Sequence, residues 1–69
     1  MTKPASLSPL QVRNALELPR ITVAARAGVS EPSVRCYELA AEGVSARIRA
    51  KLEPVYAALR AELERSKVA

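Results

Sequence analysis

Apolar residues recur along this chain at intervals of three and four, and those intervals divide it into helices. Val12, Ala15 and Leu16 form one such face, and Val23, Ala24 and Ala27 a second. Val34 and Tyr37 are an inward i, i+3 pair. The longest stripe is Ile48, Leu52, Val55, Leu59 and Leu63, at i, i+4, i+7, i+11 and i+15.

Capping and breaking residues set the boundaries. Residues 1–7 read as a polar lead. Ser8 caps a first helix, Pro9 suits its first position, and Gln11 stands where a capping-box partner belongs. Leu7 and Val12 have the spacing of a hydrophobic staple. Pro19 disfavours helical geometry in the residue before it, so this helix is expected to end near Leu18. A second helix spans about Arg20 to Ala27, closed by Gly28 in the left-handed conformation. Ser30 caps a third, about Glu31 to Leu39, with Pro32 tolerated in its first turn. Residues 40–44 form the next connection, turning at Gly43. Ser45 caps a fourth helix over 46–66. Pro54 falls inside it, so a kink, or a break with a fifth helix from Pro54 to about Arg65, is expected. The fold class is therefore all-α, a small domain of four to five helices.

At 69 residues the chain is one domain at most. A domain this small buries only about 60% of the surface its unfolded chain exposes, so a homodimer is the natural expectation. With 49% hydrophobic residues but only two aromatic ones, Tyr37 and Tyr56, the core must be aliphatic. The single cysteine, Cys36, excludes an internal disulfide. No apolar run approaches the roughly 18 residues of a membrane span, and no signal-peptide core is present, so a soluble cytoplasmic protein without a membrane partner is expected.

The formal charge of +4 suits phosphate binding. It is uneven: residues 1–42 carry five cationic and four anionic side chains, residues 43–69 six and three. The chain has no His, no Asp and no Gly-rich phosphate loop, which speaks against an enzyme, a metal site or a cofactor.

Residues 20–39 have the layout of a helix-turn-helix. The crossing of two short helices needs a small residue, which Ala24 supplies, and the turn needs one that accepts positive φ, which Gly28 supplies. Val29, Val34 and Tyr37 fill the space beneath. Ser30, Glu31, Pro32, Ser33, Arg35 and Cys36 are left without packing duties.

The segment V-A-A-R-A-G-V-S-E-P-S-V-R resembles the V-A-x-x-A-G-V-S-x-x-T-V-S pattern of LacI-family regulators, with Ser33 and Arg35 in place of Thr and Ser. It is similar more broadly to the helix-turn-helix of lambda-type phage repressors, which also have a helix before the motif. S-A-R-I-R-A-K-L resembles the segment that follows the recognition helix in the LacI family. V-R-C-Y-E is also similar to the V-R-x-Y-E of MerR proteins, but the wing of that family is not legible here.

The resemblance implies a bacterial or phage regulator that binds double-stranded DNA, a repressor acting as a homodimer on an inverted repeat. Helix 31–39 would enter the major groove. Glu31, Pro32, Arg35 and Cys36 would meet base edges, Arg35 as the candidate for guanine. Ser30 and Ser33, with Arg20, Thr22 and Arg26 from the second helix and Arg47, Arg49 and Lys51 from the fourth, would contact phosphates. Val55, Tyr56, Leu59 and Leu63 are expected to pair two copies. No ligand domain follows, so no small-molecule effector is implied. The reading from another class is a helical protein-interaction adaptor, which would expose an apolar groove instead.

Overall fold

A computed structural model describes residues 7–68, with side chains as far as Ser66. Of the polar lead, only Leu7 lies within the described residues. Four helices follow: α1 (Pro9–Ala15), α2 (Arg20–Ala27), α3 (Glu31–Leu39) and α4 (Ala46–Val68), with a single 3₁₀ turn at Ala41–Gly43 between the last two. Among the described residues there is no strand.

The start of α1 is as the sequence predicts. Ser8 Oγ accepts the amide of Gln11, and Gln11 Oε1 accepts the amide of Ser8, so two amides at the helix start are satisfied reciprocally. Its end comes earlier than expected, at Ala15 rather than near Leu18. Glu17 adopts φ 58, in the left-handed region. The amide of Leu18 donates to the carbonyl of Arg13 and that of Glu17 to Asn14, the paired bonds of a Schellman turn. The reversal returns Leu18 to the core and leaves Ala15 exposed, so the apolar face of α1 is Val12 and Leu16 without Ala15.

Between α2 and α3 the chain turns at Gly28, φ 72 and ψ 36. The amides of Gly28 and Val29 both donate to the carbonyl of Ala24, which is 2% exposed and lies beneath the turn. Ser30 Oγ accepts the amide of Ser33 and begins α3.

The fourth helix is continuous through Pro54 for 23 residues, so neither a break nor a fifth helix forms. The reason lies in position. Proline removes the bond to the carbonyl four residues back, that of Ala50. Ala50 and Pro54 are both exposed, so that carbonyl faces solvent and water can satisfy it.

The inward stripe of α4 is the surface on which the rest of the domain lies. Leu52, Tyr56 and Leu59 form one buried cluster with Val12 of α1, Val23 and Ala24 of α2, and Val34 of α3. Tyr56 is 2% exposed and Leu59 1%. This corrects the expectation that Tyr56 and Leu59 pair two copies: they are already covered by the other helices of their own chain. Val55 is half-buried against the same cluster, and Leu63, one turn past Leu59, is half-buried. The tyrosine rings of Tyr37 and Tyr56 stack at 5.4 Å.

A buried charge ties all four helices together. Glu38 of α3, its side chain 2% exposed, takes two hydrogen bonds from the guanidinium of Arg13 of α1, from Nε at 2.6 Å and Nη2 at 3.0 Å. Arg13 Nη1 donates to the carbonyl of Leu18 at 2.9 Å. The hydroxyl of Tyr56 of α4 donates to Glu38 at 2.5 Å, a length natural to a bond with a carboxylate. Arg20 of α2 adds a looser ion pair at 3.9 Å. The hydrogen bonds to Glu38 raise the pKa of Arg13, and burial, followed by the bond to Glu38, raises that of Tyr56.

Candidate nucleic-acid interface

The exposed surface of α3 is built by the alternation of its helical period. Val34 is buried, Tyr37 half-buried and the side chain of Glu38 enclosed on one side. Pro32, Arg35, Cys36 and Leu39 are exposed on the other, at spacings of three, four and seven. Glu31 is exposed on the flank, in the first turn, where a negative side chain complements the helix dipole.

Ser30 and Ser33 are engaged with each other. Their hydroxyls lie 2.9 Å apart and Ser30 also caps the helix, so their first duty is structural. Each oxygen still has hydrogen-bonding capacity at the helix N-terminus.

Four of the residues singled out in the sequence share one place. Arg20, Glu31, Pro32 and Arg35 line a shallow cavity of about 170 Å³ between the start of α2 and the outer face of α3. Arg20 is held from below by Glu38, so the cavity has one guanidinium tethered to the core and one, Arg35, exposed. Thr22 is half-buried, and Arg26, at the end of α2, is exposed.

A second cavity, of about 270 Å³, lies on the other side of α3. Pro32, Ser33 and Cys36 face Gly43, Val44, Ser45 and Ile48 across it. Cys36 is exposed and free at its wall.

The basic start of α4 is not one patch. At about 100° per residue, Arg47 and Lys51 fall on one exposed face, whereas Arg49 falls on the opposite flank. Arg49 is half-buried, and with Glu53 and Arg60 it acts on the phenol of Tyr37. Burial raises the pKa of Tyr37, Glu53 adds to the rise, and Arg60 and Arg49 oppose it. Arg49 is thereby separated from the two cations with which the sequence grouped it.

Comparison with family models, curated proteins and solved structures finds no match.

Two residues of consequence were missed by pattern. Arg13 and Glu38 entered the sequence reading only through the net charge, yet they are the polar centre of the fold. Glu38 follows Val34 by four residues, so it sits on the inward face of α3, and that spacing was the available signal. Leu39 was taken only as the end of the third helix, and it is 70% exposed on the outer ridge. No helix among the described residues is long and apolar enough to cross a membrane, and no group of three potential metal ligands occurs among them.

Proposed function

We propose that this chain is a cytoplasmic regulator that binds double-stranded DNA sequence-specifically, with α3 in the major groove. The observation that carries the reading is the placement of Arg35. It is exposed on the outer face of α3, one wall of a cavity shared with Arg20, while Ala24 and Gly28 hold α2 tightly behind that helix. Arg35 presents a planar fork suited to the O6 and N7 of guanine. Arg20, which shares its cavity, and Thr22, Arg26, Ser30 and Ser33 serve as phosphate ligands, with Arg47 and Lys51 as flanking cations. Arg49 is a weaker candidate because it is half-buried beside Tyr37.

The regulator acts by occupying its site as a homodimer on an inverted repeat. Of the residues on the α4 stripe, Leu63 is best placed to meet a second copy, since Tyr56 and Leu59 are enclosed.

Fluorescence titration against duplex DNA at two salt concentrations tests the reading. With about four phosphates engaged per copy, and so about eight per dimer, affinity falls on the order of ten-thousandfold between 50 and 200 mM salt. Absence of binding, or binding indifferent to salt, refutes it.

One observation favours an adaptor as the second reading. The cavity between α3 and the start of α4 is lined by Pro32, Cys36, Val44 and Ile48, and is apolar enough to seat a partner's side chain. An adaptor binds protein and leaves DNA alone in the same titration.

A further inference from the structure

The outermost line of α3 is largely apolar, which phosphate binding does not explain. Pro32, Cys36 and Leu39 share it with Arg35. Leu39 is 70% exposed, against 59% for Ile21, the other exposed large hydrophobic among the described residues. A solitary exposed leucine is ordinary. This one continues a ridge, seven residues from Pro32 and four from Arg35, and serves neither the core nor a cap.

From Pro32 to Leu39 the helix rises about 10 Å, close to three base steps at roughly 3.4 Å each. In the major groove the one apolar group on a base edge is the C5 methyl of thymine. Leucine has no donor for a phosphate or a base oxygen, so that methyl is its only favourable partner there. Arg35, one turn before it on the same exposed ridge, complements a polyanion rather than an apolar peptide.

Resting on the DNA-binding reading, the geometry points to Leu39 as a specificity residue that reads thymine. Its isobutyl group lies against the 5-methyl group, one helical turn along α3 from the base met by Arg35. The preferred half-site therefore holds a thymine within about two pairs of a guanine.

Sites are first selected from a random duplex pool with the full chain. Each thymine of the selected site is then replaced singly by deoxyuridine, which removes only the methyl. At one position per half-site the wild-type chain loses about fourfold in affinity, the equivalent of one buried methyl group. Leu39→Ala loses a similar factor on the thymine site and is indifferent to uracil at that position. Its thermal melt is unchanged, because the side chain is exposed. Uracil tolerated at every position, or a uracil penalty that persists in Leu39→Ala, overturns the assignment while leaving DNA binding intact. Failure to select any site refutes the DNA-binding reading itself.

Discussion

Replacing Glu38 by alanine should be the most damaging polar substitution among the described residues. The carboxylate takes three hydrogen bonds, two from Arg13 and one from Tyr56. Without it the guanidinium of Arg13, in a residue 7% exposed, keeps only the carbonyl of Leu18, and the hydroxyl of Tyr56 loses its partner. Breaking a buried pair from one side costs about 3–5 kcal/mol. The surviving bond to Leu18 and the partial exposure of Arg20, which can reorient into solvent, favour the lower figure. At roughly 0.05–0.15 kcal/mol per residue, a chain of 69 residues has only about 3–10 kcal/mol in total. Urea denaturation followed by circular dichroism measures the loss. With a slope of about 1 kcal/mol per molar urea, the midpoint falls by about 3 M, or the variant is unfolded in buffer. Arg13→Leu in the Glu38→Leu background should recover most of the loss, because no charge is then stranded. A Glu38→Ala midpoint within about 1 M of wild type would mean that Glu38 is solvated and that the four-helix network contributes nothing.

Alkaline pH should unfold the protein through its tyrosines. The pKa of Tyr56 is raised by burial and by its bond to Glu38, so the native state keeps a proton that the unfolded state sheds from about pH 10. Stability is then fully present below that pH and declines above it. Tyr56→Phe should flatten the decline without abolishing it, because burial raises Tyr37 as well, and pH-jump denaturation checks this. Glu17→Gly should raise stability by about 0.5–1 kcal/mol, since a left-handed side chain costs about 1–2 and glycine returns part of that as unfolded-state entropy; a lower melting temperature would contradict the Schellman turn. Arg35→Ala should cost about 1–3 kcal/mol on the preferred DNA site and little on random DNA, in competition titrations. Leu63→Glu should shift a dimer to monomer in sedimentation, and an unchanged mass would place the copy-to-copy contact elsewhere.

Much of this fold was legible because its helix starts are written in short-range chemistry. Ser8 with Gln11, Ser30 with Pro32 two residues on, and Gly28 each act within four residues of where they stand, so local sequence suffices. The apolar stripe of α4 was also legible as a stripe. What covers it was not, because periodicity marks a face and is silent about its neighbour; Tyr56 and Leu59 went to the intramolecular core for that reason. Glu17 escaped notice because a left-handed glutamate carries no compositional mark. The Arg13–Glu38 pair spans 25 residues, a distance at which no local pattern operates. On α3, the exposed positions followed from spacing, whereas the separation of Arg49 from Arg47 and Lys51 required the direction in which α4 meets its neighbours.

The proline in α4 has a consequence for how that helix comes into being. Pro54 leaves eight helical residues before it, too few to persist in water, where even good sequences need about 12–15. The 15 residues from Pro54 onward reach that threshold but no further. A peptide cut to residues 46–68 is therefore expected to be two flickering half-helices without a fixed relation. Continuity across the junction is imposed by Leu52, Tyr56 and Leu59 lying together in one cluster, two of them beyond the proline and one before it. The longest element of this protein is thus a product of its tertiary structure rather than the seed from which that structure grows.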